Sequence, residues 1–363
     1  MFTFRHFLPT YSILILLSGT CIAEDPSPSV LFVRGAERSG GFLEAGNDAS
    51  RTEHLADIFN LNTNGGNHGW GELRQALEGA GFEVSQIIEP LEPGAPSSGQ
   101  TQGAPIAFQS MYLFQYDVIM FGSNNAAYSG FAVNAVEDYI RAGGAAIFIS
   151  DANFGSDWAD ASNSDQDFLD RFGLIMHQDQ GTYAITSNEF LVPDHPIFVG
   201  VSSFDGEGVT PIEVGNLTAG VSIAVLARAE GNTRLNDPPF GNNNQGPSVS
   251  SDANDAVLLC GVADFGRVIG HFDRNTFFNL NGAGTNINRL SNRQYAINLF
   301  AYAASPVFQA GDVNGDNAIN LLDIGPFVDL INDGDYLEPA DINCDRTVNL
   351  LDVQPFVDLL NGN

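Results

Sequence analysis

Lysine is absent from this chain of 363 residues: all 14 basic side chains are arginine, set against 44 acids. That absence excludes a Walker-type phosphate loop, whose lysine reaches the phosphates, and any Schiff-base mechanism. Charge of either sign is sparse at 16%, yet the balance is −30. Such an anionic surface repels phosphate backbones and argues against nucleic acid as a partner. Long hydrophobic runs are missing as well. The candidate at Tyr11–Leu17 falls far short of the roughly 20 residues that cross a bilayer, so no transmembrane segment is expected. Neither Gly-x-Cys-x-Gly nor Gly-x-Ser-x-Gly occurs, so no nucleophile sits on a tight strand-to-helix turn. Apolar material is plentiful: 44% hydrophobic residues with 27 Phe exclude global disorder.

The N-terminus reads as an export signal over residues 1–23. Arg5 and His6 precede the apolar run, and small residues lead to Cys21-Ile22-Ala23 before Glu24. A secreted or cell-surface location follows as an expectation. Cys260 and Cys344 then remain, in a predicted buried strand and a surface loop, and both are expected to be free thiols.

Residues 24–304 alternate strand and helix signals. Ser29–Val33, 116–122 and 145–150 are short apolar runs of the kind found in strands buried on both faces. Between them, the spacing predicts helices over 69–80 and 131–142, with another near 165–172. The second half adds strands at 209–214, 221–228, 256–263 and 266–271, a polar insertion at 229–255, and a closing helix at 288–303. This order predicts an α/β domain with a doubly wound, mostly parallel sheet of flavodoxin-like type. Residues 305–310 form a linker, and 311–363 a small C-terminal α domain.

That small domain holds the sharpest motif. Asp312-Val-Asn-Gly-Asp-Asn-Ala-Ile-Asn-Leu-Leu-Asp323 returns 29 residues later as Asp341-Ile-Asn-Cys-Asp-Arg-Thr-Val-Asn-Leu-Leu-Asp352. Residues 312–331 and 341–360 are identical at 12 of 20 positions, a tandem duplication. Oxygen-bearing side chains fall at loop positions 1, 3, 5, 9 and 12, and position 7 (Ala318, Thr347) supplies a backbone carbonyl. Calcium takes six to eight oxygens in a flexible cage, and this spacing provides them. Position 12 is Asp rather than Glu, and Pro306 and Gly311 exclude a helix before the first loop. One amphipathic segment follows each loop, with Pro326 and Pro355 near its start.

A loop with an exit helix, twice over, resembles a type I dockerin. The resemblance implies two calcium ions. One is held by Asp312, Asn314, Asp316, Ala318, Asn320 and Asp323, the other by Asp341, Asn343, Asp345, Thr347, Asn349 and Asp352. It also implies a cohesin-like or other surface protein as partner. Position 6, usually Gly, is Asn317 in one loop and Arg346 in the other, so the second site is expected to be weaker. Positions 10 and 11, where dockerins present partner-reading and often hydroxylated residues, are Leu321-Leu322 and Leu350-Leu351. These leucines either bind an apolar partner or pack the two halves together.

The large domain resembles the class I glutamine amidotransferase-like superfamily. The resemblance rests on Gly122-Ser123-Asn124-Asn125 after a strand, Gly143-Gly144 after a helix, and Ser150-Asp151 after the next strand. His195-Pro196-Ile197 and Gly266–Gly270 complete it. The superfamily's catalytic cysteine is lacking, since Cys260 lies in an apolar strand, so the activity is not expected.

Polar residues still gather where strands of such a sheet end. Arg34, His68, Asp151 and Asp273 are expected to line one pocket, with Asn124, Asn153 and Arg274 as further ligand-binding candidates. Catalytic candidates are His68, Asp151 and Asp273. Each has a plainer role open to it: His68 and Asp151 as helix caps, and Arg34 and Arg274 as counter-charges on an acidic surface. The functional expectation is a docking protein whose α/β domain binds a ligand, with carbohydrate a candidate. The alternatives are a secreted hydrolase of polysaccharide O-glycosyl bonds and a structural surface module. Asp151 and Asp273 are the carboxylate pair a glycosidase would need.

Overall fold

A computed structural model of the chain describes residues 27–34, 56–61, 69–88, 109–123, 129–149, 166–176, 182–207, 212–228, 258–279, 285–305, 307, 310–314, 318–334, 337–343 and 347–361. Its centre is a seven-stranded sheet. The strands are β1 (Ser29–Arg34), β2 (Glu83–Ile88), β3 (Val118–Ser123), β4 (Ala145–Ile149), β9 (Val221–Ala227), β10 (Leu258–Ala263) and β11 (Gly266–His271). They lie in the order β2-β1-β3-β4-β11-β10-β9. The first five of that order run parallel. β10 and β9 are antiparallel additions at one edge. Strand order reverses about β1, which makes the sheet a doubly wound, mixed but mostly parallel α/β sheet of flavodoxin-like type.

Alternation along each strand divides the core between two faces. Val30, Phe32, Val118, Met120, Ile147 and Cys260 pack on one side, beneath helices α1 (Gly71–Gly79) and α4 (Asn292–Ala304). Leu31, Val33, Ile119, Phe121, Ala146 and Phe148 pack on the other, against α3 (Gly130–Arg141). A short helix, α2 (Ser110–Leu113), precedes β3. The expected helices 69–80, 131–142 and 288–303 and the strands of the central sheet are present, with ends shifted by a few residues.

There are two further small sheets, one of which contains the strand expected at 209–214. β5 (Leu174–Met176) pairs with β8 (Ile212–Val214), and β6 (Thr182–Thr186) pairs with β7 (Ser203–Glu207). The segments Thr-Tyr-Ala-Ile-Thr and Ser-Phe-Asp-Gly-Glu are short and polar, and their pairing comes from a partner 17 or more residues away rather than from local pattern.

The C-terminal segment has its own small core of Val313, Phe327, Ala340, Val348 and Phe356. Helices α5 (Ile324–Asp333) and α6 (Val353–Leu360) follow the two loops, each starting just after the loop's last aspartate. Their phenylalanines stack with ring centres 4.3 Å apart, joining the halves of the duplication. Among the described residues no helix is long and apolar enough to cross a membrane.

Candidate calcium loops and the strand-end cluster

The two repeated loops close in the same way. Asp323 is fully buried, and its carboxylate accepts hydrogen bonds from the amides of Asn314 (3.0 Å) and Asn320 (2.8 Å). Asp352, equally buried, accepts from the amides of Ile342 (2.9 Å), Asn343 (3.1 Å) and Asn349 (2.9 Å). Position 12 of each loop is thus tied to positions 3 and 9, which curls the chain around one point. Position 1 is buried in both loops, as Asp312 and Asp341. The side-chain oxygens of Asn320 and Asn349 accept from the amides of Leu322 and Leu351, both at 2.8 Å, and so set the turn into each exit helix.

Four carboxylates are buried in this small unit, an arrangement that a bound cation would favour. Arg346 is the sole base in residues 311–363 and lies outside the described residues. The donor set is all oxygen, which is the chemistry of a hard cation such as calcium. Asp316 and Asp345, at position 5, also lie outside the described residues. Among the described residues no group of three His, Cys, Asp or Glu side chains converges. With positions 3 and 9 filled by asparagine, only two carboxylates per loop fall within the described part.

The leucine pairs do not pack the halves together. Leu321, Leu322, Leu350 and Leu351 are exposed at 76%, 68%, 77% and 68%. Ile324 and Val328 on α5, and Val353 and Val357 on α6, extend the same apolar surface in both repeats.

In the α/β domain the expected pocket is only partly visible. His68, Asn124, Asp151 and Asn153 lie outside the described residues. Arg34 closes β1, in register with Ile88 and Ser123 on its two neighbours. Asp273 and Arg274 follow β11 and are buried, rather than open on a rim. Asp273 accepts from the amide of Asn275 at 3.1 Å, and its own amide donates to His271 Nδ1 at 3.2 Å. Burial holds the His271 imidazole neutral, with its pKa pushed down to about 3. His195 caps a short 3-10 turn, its Nδ1 accepting from the amide of Ile197.

A second polar cluster beside Asp273 escaped the sequence reading. Asp205 on β7 is fully buried; its carboxylate accepts from Arg289 Nε at 2.5 Å and from Asn292 Nδ2 at 2.7 Å. Its amide donates to Asn292 Oδ1, and its carbonyl accepts from Thr276 Oγ1. Burial raises the Asp205 pKa to about 6 even though Asn292 and Arg289 both pull it down. A β-carbon at the next residue, Gly206, would lie 2.7 Å from Asp273 Oδ2, so the Asp273 carboxylate packs against the backbone of β7 at Gly206. No pattern within ten residues of Asp205 marks it, because its partners are more than 70 positions away.

Cys260 is a free, fully buried thiol, and burial pushes its pKa far up. That environment is the reverse of a nucleophile's.

No protein-family model matches this chain, and no curated protein sequence does either. Solved structures with a similar fold include the N-terminal domain of mmIFT52 (10% identity, 77% of this chain and 99% of that one, TM-score 0.47). They also include ThuA-like proteins, whose fold is glutamine amidotransferase-like. The one from Bacteroides uniformis is 13% identical, with 81% and 95% coverage and a TM-score of 0.39. That from Parabacteroides merdae is 11% identical, with 77% and 90% coverage and a TM-score of 0.40. None of these likenesses assigns an activity.

Proposed function

We propose that this is a secreted calcium-binding protein that attaches to a surface or scaffold partner through a dockerin-type C-terminal module. Its α/β domain has an amidotransferase-like layout without that chemistry and serves as a ligand-binding unit, with carbohydrate as the candidate ligand. The observation that carries the reading is the paired closure of the two loops. Asp323 and Asp352, fully buried, each gather the amides of positions 3 and 9 of their own loop. Asp312, Asn314, Asp316, Ala318, Asn320 and Asp323 would hold one ion. Asp341, Asn343, Asp345, Thr347, Asn349 and Asp352 would hold the other. Bound calcium would place positive charge among these carboxylates.

Calorimetric titration of the full chain with calcium tests this. Two ions should bind, with the second loop weaker because Arg346 brings positive charge to its position 6. Asp323→Ala and Asp352→Ala should each remove one ion. Undiminished binding in both variants would defeat the reading. No observation favours the polysaccharide hydrolase: of its two candidate carboxylates, Asp273 is fully buried and Asp151 lies outside the described residues.

A further inference from the structure

The exposed face of each repeat carries more than a place to dock. Its apolar members are Leu321, Leu322, Ile324 and Val328 in one repeat, and Leu350, Leu351, Val353 and Val357 in the other, all exposed. Positions 324 and 328, like 353 and 357, are four apart and share one helix face. The next stripe around each helix is acidic: Asp329 and Asp333 on α5, and Asp358 on α6. Residues 311–363 hold eleven acids and one base, a charge of −10, and two calcium ions would leave about −6. Leucine offers no hydrogen bond, so recognition through these residues rests on excluding water. An identical face is a poor occupant, because pairing two copies would bring the acidic stripes together.

We propose that the docking face reads a protein surface that is apolar at its centre and ringed by lysine or arginine. This inference rests on the docking reading above and adds to it the chemistry of the partner. The probe is a synthetic amphipathic leucine–lysine helix of roughly 18 residues, five turns. Leucine–glutamate and serine–lysine helices of equal length serve as comparisons, each titrated into the full chain in saturating calcium.

The leucine–lysine helix should bind at least about tenfold more tightly than either comparison. The variant Leu321→Ser/Leu322→Ser/Leu350→Ser/Leu351→Ser should lose that preference while still binding two calcium ions. The two-site variant Leu321→Ser/Leu322→Ser, with half the change, should lose about half of the binding sites. Equal binding of the leucine–lysine and serine–lysine helices would reduce the effect to charge and overturn the proposal. So would equal binding of the leucine–glutamate helix, unchanged affinity in the four-site variant, absence of binding, or calcium-dependent dimers in sedimentation. Failure of the wild type to bind calcium would instead strike the docking reading itself.

Discussion

Asp205 shows how a single buried carboxylate makes stability depend on pH. Its folded pKa of about 6 lies above the ordinary 3.8, chiefly because burial penalises the anion. The folded state therefore holds its proton longer than the unfolded state does. The resulting contribution is fully present below about pH 4 and is lost as pH rises through about 6, by on the order of 3 kcal/mol. Chemical denaturation between pH 4 and 7 should show this term in wild type and not in Asp205→Asn. Asn292→Ala should raise the Asp205 pKa further, since that hydrogen bond is the strongest influence holding it down; carboxyl NMR would report the shift. Cys260, buried against the face of α4, makes a simpler case. Cys260→Ala should cost about 1 kcal/mol through the space it leaves, and native Cys260 should resist thiol reagents.

At the scale of the element, the fit between β3 and the residues opening α1 depends on one missing side chain. Trp70 is fully buried, edge-on to Phe32 and Phe277 with ring centres 6.0 and 5.8 Å away. A β-carbon on Gly122 would collide with the six-membered ring of that indole. The ring is wedged between two phenylalanines and cannot swing aside, so Gly122→Ala should destabilise the domain by about 1–3 kcal/mol. Thermal unfolding followed by tryptophan fluorescence checks this. The apolar strands and amphipathic helices of the large domain were legible because a residue's neighbours in sequence set their period. The β6–β7 hairpin was not, for its strands are held by Asp205's contacts to Asn292, Arg289 and Thr276, which no local window contains.

On the calcium reading proposed above, the division of the whole molecule between a large apolar core and a small acidic module implies unequal dependence on the ion. Five buried residues form the central core of the C-terminal segment, too few to offset a charge of −10 without bound cations. A chelator should melt the helix signal of residues 311–363 and leave the unfolding of the α/β domain in place, as calorimetry would record in two separate transitions. A single transition unmoved by chelator would contradict this. The flavodoxin-like layout itself contributes nothing specific to the ligand. Where the strand order reverses, β1 ends at Arg34, in register with Ser123 at the end of β3, and the segments after both lie outside the described residues.

The sequence by itself determined the alternation of strand and helix, the lack of an amidotransferase nucleophile and the duplicated oxygen-rich loops. Each of these is written in residues close together along the chain, where spacing alone carries the signal. Only the tertiary structure decided that Asp273 and Arg274 are buried, that Asp205 is buried with Asn292 and Arg289 as partners, and that the leucine pairs face outward. Those facts depend on which distant segments pack on a residue. Burial is a property of the neighbours that folding brings, and hydropathy along the chain does not record them.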